Sequence, residues 1–464
     1  MLFSSITFLY WFLPCTLLLY FLVPKCLKNT VLLLASLLFY AWGEPKYVVL
    51  MVLTILCGYG AGLLIEKFRG KLGAKLALWG SAAVFLGALG YFKYADFFIT
   101  NVNAATGLSI PLLQLALPIG ISFYTFQILS YTVDVYRGNV GAQKNPITLA
   151  AYVALFPQLI AGPIVRYSDV AEQLGSRTHS ISKAALGIRR FLLGLSKKIF
   201  IANILGELCA EFQGTQDSSV LFCWMYALAY SLQIYFDFSG YSDMAIGLGK
   251  ILGFDFMENF NYPYISRSVT EFWRRWHMSL GSWFRDYVYI PLGGNRVSKG
   301  RWFFNILVVW LLTGFWHGAA WNFIIWGLYF AVFLVAEKLF LLQYLQKTKV
   351  LSHLYVLLLA VISFVIFGAP DMGSAWTILR GMAGLGGLPL YSAEALYQLQ
   401  SFGLIFVLAC IGATPLPKMA VTHLRQKAEL VFVVLEPLVL AVLLLAVTAY
   451  LVNGSFNPFL YFRF

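Results

Sequence analysis

Two of the five histidines lie in apolar, tryptophan-rich sequence, where an imidazole is an unusual side chain to bury. His317 stands in GFWHGAAWNF (residues 314–323) and His277 in EFWRRWHMSL (residues 271–280). A buried imidazole tends to be neutral, and the neutral form can accept a proton from a hydroxyl group. No serine or cysteine nucleophile motif accompanies His317, so we predict that it is a general base for direct attack by a hydroxyl group.

The other three histidines are His179, His353 and His423, which lie in or beside polar, basic loops and are predicted to be solvated. His277 and His317 do not have the i, i+4 spacing of a helical zinc site, with each other or with another ligand. The sequence therefore predicts no metal site and no bound cofactor.

Arginine and tryptophan alternate around His277. In a helix, Trp276 and Trp283 would lie one heptad apart on an aromatic face, and the arginines would form a cationic face. Such a helix is typical of the cytoplasmic membrane interface. Two interpretations stay open, which are anchoring to lipid and binding of a phosphorylated or otherwise acidic donor. The candidate donor-binding residues of this segment are Arg274, Arg275, Trp276 and Arg285.

A third stretch, QIYFDFSGYSDMAIG (residues 233–247), places Asp237 and Tyr241 between apolar runs. Carboxylates at membrane depth are costly and mark candidate functional sites. Asp237 has three interpretations: it orients a histidine, it pairs with a central arginine, or it forms a buried ion pair that fixes helix packing. Tyr241, Trp316 and Asn322 complete the candidate substrate-binding residues.

The composition places these segments in a lipid bilayer. The 464 residues are 60% hydrophobic and only 11% charged, whereas about a quarter of the residues of a soluble domain are charged. We predict an all-α, polytopic integral membrane protein with about 11 to 13 membrane segments, some of them short re-entrant or interfacial helices. The net charge of +13 is carried by short loops that set topology, which disfavours a nucleic-acid partner.

Basic loops orient the chain in the membrane. Arg301 and Lys338 are both predicted to be cytoplasmic, and the sequence between them is long enough for about two crossings. His317 then falls near the turn of a hairpin, in the outer half of the membrane. The same rule predicts that the N-terminus and the C-terminus, after a last helix at about residues 430–451, lie on the extracytoplasmic side of the membrane.

The simplest organisation is a single membrane domain over residues 1–464. Within it we distinguish N-terminal transmembrane helices (1–135), a catalytic core with broken and re-entrant helices (136–340) and C-terminal transmembrane helices (341–464). Short apolar pieces interrupted by glycine and proline mark the core, because irregular backbone at membrane depth needs protein or a water-filled cavity around it.

Six stretches, in this order along the chain, resemble the membrane-bound O-acyltransferase family (MBOAT), in particular its bacterial alginate O-acetyltransferase-like branch. They are LGYFKYADFF (89–98), LPIGISFYTFQ (117–127), FPQLIAGPIVR (156–166), FDFSGYSDMAIG (236–247), FWRRWHMSLGSWFRDYVYIPLGG (272–294) and LLTGFWHGAAWNF (311–323). The opening MLFSSITFLY and the closing FNPFLYFRF are also similar to this branch.

The resemblance implies that His317 is the central catalytic histidine and that His277, in the W-H-x-S-L motif, is the second one. It implies acetyl-CoA as a cytoplasmic acetyl donor, a central tunnel and an extracytoplasmic partner of the SGNH hydrolase-like kind. The expected activity is O-acetylation of an extracellular or periplasmic polysaccharide, either an alginate-like exopolysaccharide or a cell-wall glycan. In this scheme His277 orients the thioester or assists departure of the thiolate.

Two other functions stay open. A relative of this family moves D-alanine to teichoic acid from a carrier protein, which is a change of donor within the same class. A small-anion transporter is the alternative from a different class, because broken helices with intramembrane Asp and Arg can form a permeation path.

Overall fold

The computed structural model describes residues 1–215, 219–454, 457 and 460, and these residues form helices joined by loops, with no strand among them. In chain order the α-helices are α1 (Leu13–Leu22), α2 (Lys28–Gly43), α3 (Val48–Lys67), α4 (Leu72–Leu89), α5 (Ala95–Thr106), α6 (Ile121–Arg137), α7 (Pro146–Ala154), α8 (Phe156–Leu159), α9 (Tyr167–Gly175), α10 (Ile181–Lys197), α11 (Ile204–Gly214), α12 (Val220–Ile251), α13 (Val269–Arg275), α14 (Met278–Phe284), α15 (Lys299–His317), α16 (Trp321–Ala336), α17 (Leu342–Leu345), α18 (Lys349–Gly368), α19 (Met372–Met382), α20 (Ala393–Gly412), α21 (Leu416–Lys427) and α22 (Glu429–Asn453). Short 3₁₀ or π-helical segments are Phe8–Phe12, Lys25–Leu27, Gly90–Tyr94, Lys198–Asn203, Pro263–Ile265, Arg285–Tyr289 and Glu337–Leu341.

Seven helical stretches in the described parts of the chain are long and apolar enough to cross a membrane. They are Lys25–Gly43, Val48–Lys67, Leu72–Thr106, Trp321–Leu345, Lys349–Gly368, Ala393–Gly412 and Glu429–Asn453. The shorter apolar helix Phe8–Leu22 precedes them. The prediction of an all-α, polytopic membrane protein is confirmed. The prediction of about 11 to 13 membrane segments also counted short re-entrant and interfacial helices, which this criterion of length leaves out. The central tunnel stays a prediction.

One compact unit consists of Met1–Phe191 and Ser242–Met257. Within it α3 packs closely on α6, and a Cβ atom at Gly62 would lie 2.6 Å from the hydroxyl oxygen of Tyr131. A side chain at this position would push the two helices apart, so glycine is required by their close approach.

A second compact unit consists of Leu192–Tyr241 and Glu258–Phe464. All residues predicted for the functional site belong to it. Its core is rich in aromatic side chains from α12, α13, α16 and α18. The predicted division of the chain at residues 135 and 340 stays a prediction.

The core region is partly broken into short pieces, as expected. The helices α7, α8 and α9 are all shorter than a membrane crossing, and a buried non-helical stretch precedes α9. Helix α12 differs, because it runs without a break for 32 residues. Gly240 does not break this helix. It allows close packing, since a Cβ atom there would lie 2.7 Å from the carbonyl oxygen of Gly194.

The last helix, α22, agrees with the prediction for residues 430–451. Most of the closing FNPFLYFRF motif lies outside the described residues. Its described residues are Asn457 and Leu460. The predicted side of both termini stays a prediction.

Candidate active site

His317 is the last residue of α15, and α16 begins at Trp321. The predicted helical hairpin with His317 at its turn is therefore confirmed. Glycines allow the two helices to meet, because a Cβ atom at Gly314 would overlap the carbonyl oxygen of Phe323 and one at Gly318 would overlap the Phe323 ring. Small residues at these two positions bring the turn close to α16 and present the imidazole at the end of α15.

Aromatic rings surround the imidazole of His317. The ring centroids of Trp316, Trp326 and Phe367 lie 4.9, 5.1 and 5.1 Å from its centroid, each nearly perpendicular to it. His317 is only 8% exposed. Burial among apolar groups disfavours a charged imidazolium in general, and a general base requires the neutral form.

His277 lies in a break between α13 and α14. Its backbone is left-handed, with φ 43° and ψ 53°, which is uncommon for a residue other than glycine. The segment is thus not the single amphipathic helix that the alternation of tryptophan and arginine suggested. Trp276 and Trp283 are buried, so they do not form an aromatic face at a surface.

The side chain of His277 is 2% exposed. Its Nδ1 lies 3.1 Å from Oδ1 of Asn259, and the Phe238 ring packs edge-on at 4.7 Å between centroids. Burial lowers the pKa of His277 from 6.5 to about 3. The imidazole is therefore neutral at physiological pH.

The indole of Trp316 brings the two histidines into one cluster. Its ring centroid lies 4.9 Å from that of His317 and 6.0 Å from that of His277. Residues 40 positions apart in sequence, one ending a long helix and one in a strained break, therefore contact the same aromatic ring. This cluster is the candidate active site.

The predicted arginines have other neighbours. Arg275 forms an ion pair with Glu271 at 2.9 Å, and Arg285 forms one with Asp286 at 2.7 Å. Arg274 is exposed. Lipid anchoring and donor binding both stay predictions for these side chains.

Asp237 is paired with a lysine. Its Oδ1 lies 2.7 Å from Nζ of Lys198, and the two side chains are 3% and 5% exposed. Oδ2 accepts a hydrogen bond from the backbone of Leu460 at 2.9 Å. Of the three interpretations of Asp237, the structure supports the buried ion pair that fixes packing, with Lys198 and not an arginine as its partner. Tyr241, one turn further along α12, is also buried.

Two more predicted residues have packing roles. The side-chain amide of Asn322, near the start of α16, donates to the carbonyl oxygen of Ala369 at 3.0 Å and approaches that of Ile366 at 3.4 Å. It thereby satisfies carbonyl groups at the end of α18. Trp276 stacks on Phe272 with 5.6 Å between ring centroids. Neither contact involves an imidazole.

Two polar residues that hold the His277 segment were not predicted from the sequence. Asn259 contacts the imidazole, and the carboxylate of Glu337 accepts hydrogen bonds from the backbone of Val269 and Thr270 at the start of α13. Glu337 is fully buried. An acidic residue at the end of an apolar helix was the available signal for it. Asn259 has none, because its partner is 18 positions away across a loop.

Among residues 1–215, 219–454, 457 and 460, no group of three or more His, Cys, Asp or Glu side chains could hold a metal ion. The prediction that the site works without a metal or a bound cofactor stays a prediction.

This chain is similar to known proteins over most of its length. The model of MBOAT, the membrane-bound O-acyltransferase family, matches residues 103–372, which include both histidines of the cluster. A probable alginate O-acetylase, AlgI, of Azotobacter vinelandii is 45% identical over 392 residues, which are 83% of this chain and 79% of that protein. The probable alginate O-acetylase AlgI of Pseudomonas putida is 41% identical over 486 positions that cover 100% of both chains. The peptidoglycan O-acetyltransferase of Helicobacter pylori is 37% identical over 428 positions, 84% of this chain and 81% of that protein. The chain therefore belongs to the membrane-bound O-acyltransferase family and is a multi-pass membrane O-acyltransferase.

Proposed function

We propose that this O-acyltransferase moves an acetyl group from cytoplasmic acetyl-CoA across the membrane for O-acetylation of a polysaccharide outside the cytoplasm. The observation that carries the proposal is the pair of buried imidazoles, His277 and His317, on the single indole of Trp316. The names of the relatives, alginate O-acetylase and peptidoglycan O-acetyltransferase, support an acetyl group and a glycan acceptor.

His317 is the proposed general base. A hydroxyl oxygen of the acceptor attacks the carbonyl carbon of the thioester, and the hydroxyl proton passes to the neutral imidazole. Collapse of the tetrahedral intermediate breaks the carbon–sulfur bond. The departing thiolate takes the proton from His317, so the products are an acetyl ester and free CoA thiol, and the imidazole is neutral again.

The aromatic surroundings of His317 suit this chemistry. Trp316, Trp326 and Phe367 keep the imidazole in an apolar environment, which limits hydrolysis of the thioester by water. His277 is the second proposed catalytic histidine. Its burial keeps it neutral, so its proposed part is to orient the reacting molecule and not to donate a proton.

The location of the proposed reaction rests on the charge of the loops and on the family resemblance. We place the enzyme in a bacterial inner membrane, with both termini on the extracytoplasmic side and acetyl-CoA arriving from the cytoplasm. An extracytoplasmic SGNH-type partner is proposed to complete transfer to the polysaccharide. The final acceptor is an alginate-like exopolysaccharide or a cell-wall glycan, and the hydroxyl group that attacks the thioester belongs either to the partner protein or directly to this polysaccharide.

The first experiment follows label from acetyl-CoA carrying a radioactive acetyl group. Membranes containing the protein or its His317→Gln variant are incubated with the labelled donor, and label in cell-envelope polysaccharide is measured. His423→Gln is the matched control, because His423 is an exposed histidine on α21. We expect labelling that is lost in His317→Gln and kept in His423→Gln.

Other outcomes would replace the proposal. Label from a D-alanyl carrier protein, together with indifference to acetyl-CoA, would establish D-alanyl transfer. Flux of a small anion through vesicles at the same rate with and without His317 would establish a transporter. Equal labelling of polysaccharide by the wild type and His317→Gln would show that His317 is not a catalytic residue.

A further inference from the structure

We propose that Asn259 is a positioning residue that holds His277 in the tautomer with its proton on Nδ1, so that Nε2 offers a lone pair to an O–H or N–H group of a bound substrate. This inference rests on the proposed function, because it assigns His277 a task in that reaction.

The orientation of the Asn259 amide follows from its neighbours. The backbone N–H of Ser279 donates to Oδ1 at 3.3 Å, and the Ser279 hydroxyl donates to the same atom at 2.8 Å. A backbone N–H cannot accept a hydrogen bond, so the atom facing it must be the amide oxygen and not the NH₂ group. The amide oxygen is therefore the atom that also faces His277.

The tautomer of His277 follows from that orientation. Its Nδ1 lies 3.1 Å from Oδ1 of Asn259, and this oxygen can only accept. Nδ1 must then carry the proton and donate it. In a neutral imidazole the other nitrogen, Nε2, has no proton and is an acceptor.

Nε2 of His277 is buried and has no hydrogen-bond partner within the described part of the chain. Buried polar atoms in folded proteins are nearly always hydrogen-bonded, and an exception calls for an explanation. The Ser279 hydroxyl lies 3.4 Å from Nδ1 and not at Nε2, and the rings of Phe238 and Trp316 pack against the imidazole without donating to Nε2. A donor group on a bound molecule would complete the site.

The backbone strengthens the same contact. The carbonyl oxygen of Asn259 accepts a hydrogen bond from the N–H of Met278 at 3.0 Å, directly after the left-handed residue His277. Asn259 thus binds both the imidazole and the strained turn that aims it. A residue held in this backbone conformation needs such support from its surroundings.

With this tautomer of His277, the two histidines have different roles in the proposed reaction. His317 receives and returns the proton, while His277 accepts a hydrogen bond from a hydroxyl or amide group of the acceptor or the thioester donor. With its lone pair on Nε2, His277 cannot supply the proton that the thiolate needs. That proton comes from His317.

The test uses full-length protein in lipid nanodiscs with ¹⁵N-labelled histidine. Solid-state NMR distinguishes a protonated from an unprotonated ring nitrogen, and the signals of His277 are assigned by their loss in His277→Gln. We expect Nδ1 protonated and Nε2 unprotonated at neutral pH in the wild type. A proton on Nε2 would overturn the proposal, whether or not the preparation transfers acetyl groups.

Two substitutions of Asn259 then test the consequence for activity with labelled acetyl-CoA. Asn259→Ala removes the acceptor, so we expect a mixture of tautomers and a loss of activity of about 10- to 100-fold. Asn259→Asp keeps an acceptor oxygen and adds a negative charge. It should recover most of the activity and move the acid limb of the pH profile to higher pH, because a carboxylate favours the imidazolium.

Asn305→Ala is the matched control for loss of a buried asparagine. Asn305 is fully buried in the same compact unit, and its amide donates to the carbonyl oxygen of Gly294 at 3.2 Å. Its removal should leave the tautomer of His277 and the shape of the pH profile as in the wild type. If Asn259→Asp is as inactive as Asn259→Ala while both retain wild-type melting behaviour, or if Asn259→Ala keeps the single tautomer, Asn259 does not position His277.

These results separate the two proposals. Absence of any transfer by the wild type with a correct tautomer would refute the proposed acetyl transfer and leave the geometry of Asn259 and His277 intact. Transfer by the wild type with the proton on Nε2 would leave the acetyltransferase in place and refute the role of Asn259.

Discussion

His317 and His277 contact the same indole, yet different kinds of neighbours hold them there. The contacts described for His317 are with aromatic rings, and glycine-mediated packing of α15 on α16 determines its position. His277 is fixed by hydrogen bonds, with Asn259 on its ring and Glu337 at the start of the helix that precedes it. The first arrangement favours a neutral imidazole, whereas the second also selects which nitrogen carries the proton.

The difference suits the proposed roles. A general base takes up a proton and releases it within one cycle, and an apolar environment favours return to the neutral state. A residue that orients a substrate needs one constant hydrogen-bonding pattern, which polar neighbours provide. Substitutions of the two sets of neighbours should therefore have different consequences.

The largest expected effect is the difference between the two histidines themselves. His317→Gln removes the general base, and we expect the rate of acetyl transfer to fall about 10²- to 10⁴-fold. His277→Gln removes a hydrogen bond to substrate, with an expected loss of about 10- to 100-fold. Initial rates at equal protein concentration compare them. An equal loss for both variants would contradict the division of roles.

Glu337→Gln tests the polar support of His277. The buried carboxylate accepts hydrogen bonds from Val269 and from both the backbone and the hydroxyl of Thr270. An amide has a single acceptor oxygen, so we expect a loss of about 1.5 to 3 kcal/mol in the free energy of unfolding.

Glu429→Gln is the control for that measurement. Glu429 is exposed in the first turn of α22, and its substitution should change the free energy of unfolding by less than about 0.5 kcal/mol. Thermal unfolding in detergent compares the two variants with the wild type. Equal melting temperatures for Glu337→Gln and the wild type would mean that the cap on α13 does not stabilise the fold.

The sequence allowed more to be predicted about His317 than about His277. Two basic anchors, Arg301 and Lys338, and the length between them were enough to predict a hairpin with His317 at its turn, because the bilayer sets the length of a crossing. One of its three aromatic neighbours, Trp316, was also visible in the same motif. The position of His317 in the fold therefore depends mainly on local sequence.

His277 depends on contacts that no local pattern encodes. A left-handed residue other than glycine leaves no signal in composition, so the alternation around it suggested one continuous helix. Its partner Asn259 comes from a preceding loop. The partner of Asp237 could not be predicted from local sequence either. The sequence correctly indicated a buried carboxylate, but its partner, Lys198, is determined by the packing of α12 against a distant segment.

Gly314→Ala tests the apolar support of His317. Because a Cβ atom at this position would overlap the backbone of Phe323, α15 and α16 must separate slightly. We expect a loss of about 1 to 3 kcal/mol in the free energy of unfolding and a reduced rate of transfer. Gly300→Ala is the control on the same helix, since a Cβ atom there has open space. Equal stability of the two variants would show that the hairpin does not depend on close packing at Gly314.

The smallest expected effect is a difference in how stability depends on pH. The folded pKa of His277 is lowered to about 3 from 6.5, so below pH 6.5 the unfolded chain binds a proton that the folded chain does not. The free energy of unfolding should then decrease with falling pH, with a contribution from this group that approaches about 1.4 kcal/mol per pH unit below pH 6.5, and this contribution should be absent in His277→Gln. His179, whose pKa is also lowered chiefly by burial, contributes to both proteins and cancels in the comparison. Melting temperatures of the wild type and His277→Gln between about pH 5.5 and 7 measure the difference. Parallel curves would mean that folded His277 accepts a proton as readily as the unfolded chain, and the polar surroundings would then fix its position without keeping it neutral.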